Sequence, residues 1–115
     1  MTGWFDRLVG WLLPAPPDIG PGEDVELLDV RTRAEHARGH VAGATLIPLD
    51  ELPTRWKELR GARKKRILVY CRTGSRSRMG VRILRERGFD RAENAGGIGG
   101  LRRAGLEIER GPADG

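Results

Sequence analysis

The sequence predicts an α/β fold: a small parallel β-sheet with helices on both faces. Two observations carry the expectation. Short apolar runs alternate with stretches of helical spacing, punctuated by Gly and Pro, the pattern of strand–helix–strand units. At 115 residues the chain has room for one hydrophobic core and no second domain. In order, residues 25–30 form a short apolar strand, and residues 33–38 a short helix ended by Gly39. Residues 45–47 form a second strand, broken by Pro48. Asp50 is the expected cap of the next helix, with Leu52, Trp56 and Leu59 at helical spacing behind it. Residues 66–70 are the third strand, followed by a helix over residues 77–87 that Gly88 stops. A last strand spans residues 92–94. Gly96, Gly97, Gly99 and Gly100 then make a turn before a short helix ending at Gly105.

Ligands of such sheets bind beyond the carboxyl ends of the strands. Cys71, the only cysteine, sits there, opening the stretch Cys71-Arg72-Thr73-Gly74-Ser75-Arg76-Ser77. A thiol at a strand end, then a short loop with Gly and hydroxyl residues, then a helix start, makes a reactive thiolate. Backbone N–H groups of the loop and first helical turn point at the sulfur, and the positive helix end favours the anion. Arg72 and Arg76 add to that field. A structural cysteine needs none of this.

The loop resembles the active-site loop of the rhodanese family, the sulfurtransferases, whose pattern reads roughly Cys-x-x-Gly-x-Arg-Ser. Upstream, the stretches 28–32 and 35–44 look like that family's first strand and its Gly-His-x-x-Gly-Ala segment. Downstream, Gly88-Phe89, Asn94-Ala95-Gly96-Gly97 and Ala104-Gly105 match its closing elements. The resemblance covers residues 25–108 in the expected order, and implies a rhodanese-like sheet and a thiosulfate sulfurtransferase. Cys71 would attack the outer sulfur of a thiosulfate-like donor, expel sulfite and keep the sulfur as a persulfide. Cyanide, a small thiol or a protein thiol would then accept it, in two covalent steps without a separate base. Backbone N–H groups of Arg72, Thr73, Gly74, Ser75, Arg76 and Ser77 would hold the outer sulfur. Arg72 and Arg76 would hold the donor anion, with hydrogen bonds from Ser75 and Ser77. Asp29 and Arg31 are expected to brace the loop by ion pairs. The chain departs from the family at Leu101, where a Trp is common.

Alternatives share the fold. Cysteine phosphatases place an arginine six positions after the cysteine; here that position is Ser77, and Arg76 falls at the fifth. The shorter loop suits one sulfur atom better than a tetrahedral phosphate, and no aspartate follows as an evident general acid. A single cysteine also disfavours reductases, arsenate reductase among them, that resolve through a second thiol. A non-catalytic binding or persulfide-carrier module is the other alternative, although inactive members of the family typically lack the cysteine.

Composition narrows the partners. The net charge of +5 is uneven: residues 1–52 hold four basic and nine acidic side chains, residues 60–91 twelve basic and two acidic. The basic block surrounds Cys71 and reads as an anion-attracting mouth. Nucleic-acid binding is not expected, since the block's aromatics, Tyr70 and Phe89, fall at core positions. One cysteine and two histidines, His36 and His40, support no metal site, and no cofactor is expected. Both histidines read as structural or surface residues.

Residues 1–17 form a separate amphipathic, Pro-rich segment ahead of a single domain over residues 18–115. Trp4, Phe5, Leu8, Val9, Leu12 and Leu13 share one helical face. The segment reads as an arm packed on the domain, or as a contact for a membrane surface or a protein partner through residues 4–13. It makes a poor signal peptide, with Arg7 its only basic residue and no small-x-small site. A lone cysteine fits a reducing compartment, so the expected location is cytoplasmic, with a membrane-peripheral variant if residues 4–13 anchor the chain.

Overall fold

A computed structural model describes residues 17–112. The first half runs through strand β1 (Val25–Asp29), helix α1 (Arg33–Arg38) and the short strands β2 (His40–Val41) and β3 (Thr45–Leu46). Helix α2 (Leu52–Arg55) follows and tightens into a 3-10 helix over Trp56–Ala62. The second half is strand β4 (Arg66–Cys71), helix α3 (Ser75–Glu86), strand β5 (Ala92–Gly97), helix α4 (Ile98–Arg103) and strand β6 (Ile108–Glu109). Four parallel strands form the main sheet in the order β3–β1–β4–β5, and β2 pairs antiparallel with β6.

Strand β4 is the centre of the molecule. Because side chains alternate along a strand, its residues feed two cores. Ile67, Val69 and Cys71 pack with Leu52, Leu59, Val81, Leu84 and Phe89 on one face. Leu68 and Tyr70 join Val41, Ala95 and Leu101 on the other. All five β4 side chains from Ile67 onward are fully buried, and each aliphatic one stabilises the fold by about 1.5–3 kcal/mol. The alternation also decides which face carries the thiol: the side that α3 covers.

Helix α3 buries Ser77, Gly80, Val81 and Leu84, a stripe at helical spacing, and turns its arginines outward. It ends in a Schellman turn. Gly88, at φ +90°, donates to the Arg85 carbonyl, and Phe89 N–H donates to that of Leu84. Near the first described residues, the Asp18 carbonyl accepts from Arg66 Nη1 at 2.7 Å. The amphipathic stretch 4–13 lies outside the described residues. No helix among the described residues is long and apolar enough to cross a membrane.

The structure corrects several boundaries. Strand β4 continues to Cys71, and α3 begins at Ser75, because Gly74 at φ +102° turns the chain into the helix at once. Strand β5 reaches Gly97, so Gly96 and Gly97 belong to the sheet and not to a turn. A bulge there pairs Val69 with Asn94 but Tyr70 with Gly96. Glu51, not Asp50, precedes α2, and its carboxylate goes to Arg33 and Arg55 instead of capping backbone N–H groups. The β2–β6 pair has no counterpart in the sequence pattern, since two-residue strands leave no periodic signal.

Candidate active site

Cys71 ends the central strand opposite Gly97 of β5, and the loop after it folds back over its sulfur. The Gly74 N–H donates to Cys71 Sγ at 2.9 Å, and Ser77 Oγ lies 3.4 Å from the sulfur. Burial is the largest single influence on the thiol and pushes its pKa up. The Ser77 hydroxyl, then the backbone N–H groups of Ser77, Gly74 and Thr73, together outweigh it and bring the pKa below that of an ordinary thiol.

Backbone contact sets the loop's shape. A side chain at Gly97 would run into the Arg72 carbonyl, and one at Gly74 would meet Gly96 Cα at 3.3 Å. The glycine pair at the end of β5 therefore lets loop and strand touch main chain to main chain. Asn94 then fastens them. Its Nδ2 donates to the Gly74 carbonyl at 3.0 Å, and its Oδ1 accepts from Ser77 Oγ at 2.6 Å and from Gly96 N–H at 2.9 Å.

The sequence-nominated residues divide into three groups. Gly74 and Ser77 contact the sulfur, while the Ser75 side chain is exposed at the first position of α3. Arg76 is clamped: its Nη1 and Nη2 donate to the two Glu35 oxygens at 2.6 and 2.8 Å. That bidentate pair, ahead of other influences, holds the Glu35 carboxyl at about 2. Arg72 is exposed and forms part of the wall of a neighbouring groove.

Asp29 and Arg31 behave differently from the expectation that they brace the loop. None of their hydrogen bonds reaches residues 72–77. Asp29, fully buried, accepts from Arg31 Nε and Nη2 at 2.9 and 2.8 Å, from the Arg31 N–H at 2.9 Å and from Tyr70 Oη at 3.2 Å. A buried carboxylate must be satisfied by what packs around it, and here that is β1, α1 and Tyr70. His36 Nδ1 lies 2.9 Å from Asp29 and His40 Nδ1 2.8 Å from the His36 carbonyl, with the two rings stacked 3.7 Å apart. Both histidines are buried in this cluster and neither bonds to Cys71. Desolvation, then Asp29, pushes the Tyr70 hydroxyl pKa up.

Two positioning residues carried no assigned role in the sequence. Glu35 holds Arg76 and completes a capping box with Thr32 at the start of α1; the Thr-x-x-Glu spacing was its signal. Asn94 is the strut of the loop; a polar, weakly strand-forming residue inside a strand was its signal.

The described structure is thus a parallel α/β sheet with a thiol at the carboxyl end of its central strand, contacted by the Gly74 N–H and the Ser77 hydroxyl. Residues 19–103 match the Rhodanese-like domain family, and the chain belongs to that family. It is 38% identical over 87 residues to a sulfurtransferase of Allochromatium vinosum, covering 75% of this chain and 79% of that one. It is 37% identical over 71 residues to the thiosulfate sulfurtransferase PspE of Escherichia coli, covering 62% and 68%. A solved structure described as a rhodanese with anions from E. coli superposes with a TM-score of 0.69 at 31% identity, over 76% of this chain and all of that one. Relatives of this kind place the chain among the rhodanese-like sulfurtransferases.

Proposed function

We propose that the chain moves sulfane sulfur from thiosulfate, or a similar anion, to cyanide or a thiol through a persulfide on Cys71. The observation that supports this best is the Gly74 N–H aimed at the Cys71 sulfur from 2.9 Å, at the head of the 12-residue helix α3. In the first step the Cys71 thiolate attacks the outer sulfur of thiosulfate. A new S–S bond forms, the bond to the sulfonate sulfur breaks, and sulfite leaves with the electron pair. In the second step the acceptor's nucleophile attacks the outer persulfide sulfur, and Cys71 leaves as thiolate. The N–H groups of Thr73, Gly74 and Ser77 hold the charge on sulfur throughout. Arg76, aimed by Glu35, and Arg72 hold the donor anion. Asp29 and Arg31 support the site indirectly, through Tyr70 beside Cys71. The lone free thiol suits a cytoplasmic, reducing setting.

Intact mass after thiosulfate treatment tests the reading. The expected result is a gain of one sulfur that dithiothreitol removes and that Cys71→Ser abolishes, together with thiocyanate formation from cyanide. Undiminished thiocyanate formation by Cys71→Ser would end it.

A further inference from the structure

Beside the cysteine loop lies a groove of about 870 Å³, far larger than a small inorganic anion needs and within the range of sites for organic ligands. Five arginines line it: Arg31, buried and paired with Asp29, and four from separate parts of the chain, Arg38 at the end of α1, Arg72 in the loop, Arg102 in α4 and Arg110 after β6. Among the described residues, no ion pair engages any of the four. The carboxylate in the wall, Glu35, is already committed to Arg76. Between the arginines the surface is apolar, made by Ile98, Leu106 and Ile108, which pack outward from the second core. The groove reaches the site through Arg72 and Glu35, which belong to both.

We propose that this groove seats the sulfur acceptor, and that the acceptor is a low-molecular-weight organic thiol carrying two or more anionic groups. The proposal rests on the sulfur-transfer reading. Uncompensated arginines around a concavity attract anions, and convergent guanidinium groups select multiply charged ones. The apolar patch takes the organic body that thiosulfate and cyanide lack. In the step itself the acceptor thiolate attacks the outer sulfur of the Cys71 persulfide. The acceptor departs as its own persulfide and Cys71 as thiolate, so no oxidant or reductant is needed.

The test compares matched acceptors at equal thiolate concentration, with thiosulfate as donor. Mercaptosuccinate against 2-mercaptoethanol probes carboxylates, and coenzyme A against pantetheine probes phosphates. The expected result is a higher kcat/KM for the anionic member of one pair, and that pair identifies the anion. Arg102→Glu combined with Arg110→Glu should cut this preference about tenfold, with less effect in high salt. Lysine at both positions should retain most of it. Binding of S-methylated mercaptosuccinate and S-methylated coenzyme A to the Cys71→Ser chain, followed by NMR at Ile98 and Ile108, gives a readout free of turnover. Equal kcat/KM within both pairs, or equal losses for charged and neutral thiols in the variant, would overturn the groove assignment while leaving sulfur transfer standing. Groove binding without any sulfur gained on Cys71 would instead overturn the sulfur-transfer reading, and the acceptor role with it.

Discussion

Ser77 has one hydroxyl proton and two acceptors for it. Asn94 Oδ1 stands at 2.6 Å and the Cys71 sulfur at 3.4 Å, so in the resting geometry the amide holds the proton. When Cys71 ionises, the hydroxyl can turn to the sulfur while Asn94 Oδ1 keeps the Gly96 N–H. Ser77→Ala removes that response and leaves the backbone donors. The Cys71 pKa should therefore rise. A depressed thiol pKa means that thiolate is present above it and lost as pH falls through it. The pH profile of iodoacetamide alkylation should accordingly move to higher pH in Ser77→Ala; an unmoved profile would assign the whole effect to backbone N–H groups. The nucleophile and its loop were legible in the sequence because their contacts are local: Cys71 and Gly74 are three residues apart. Asn94 and Glu35 were not, since their partners Ser77 and Arg76 lie 17 and 41 residues away.

Helix α3 sets how far the loop stands from the sheet, and Gly80 sets how closely α3 packs. A Cβ at Gly80 would come within 3.2 Å of Val69 Cγ1 and 3.4 Å of Val30 Cγ1. Alanine would gain up to about 1 kcal/mol in helix propensity. Both valines are β-branched and buried, so neither can turn aside, and overpacking costs about 1–3 kcal/mol. Crowding should win. Gly80→Ala is expected to lower stability by about 1 kcal/mol in urea unfolding, and a rise in the midpoint would show that α3 is free to shift. Elements of this kind were readable wherever apolar spacing or a stop signal marked them, as with α1 before Gly39 and α3 before Gly88. The end of β5 is not legible in the sequence, because Gly96 and Gly97 suggest a turn when taken alone. Gly97 is glycine because the Arg72 carbonyl presses against it from the loop, and Gly96 because it sits at φ +81° in the bulge.

Across the whole molecule, acidic side chains hold separate segments together. Glu35 joins α1 to the cysteine loop through Arg76, and Glu51 joins α1 to α2 through Arg33 and Arg55; both carboxyls are held at about 2, against 4.5 for a free one. Arg55 lowers Glu58, and the Gly20 N–H, ahead of Arg66, lowers Glu23. For a depressed carboxyl the stabilisation is complete above the unfolded pKa and is lost as pH falls through the folded one. Urea midpoints should therefore hold level above about pH 5 and decline from about 4.5 toward 2. The share of the more exposed Glu51 should shrink in 1 M salt, while that of the more sheltered Glu35 persists. A decline that began above pH 6 would overturn this carboxylate account. The parallel α/β architecture was legible at this scale from alternation alone, but the long-range closure by β2 and β6 was not. Its residues His40 and Glu109 meet across 69 positions of chain. During synthesis, all four main-sheet strands and the cysteine loop are made before Ile108 and Arg110 exist. The groove beside the loop is thus finished only after the loop itself, since Ile108 and Arg110 close a wall that Arg38 and Arg72 began.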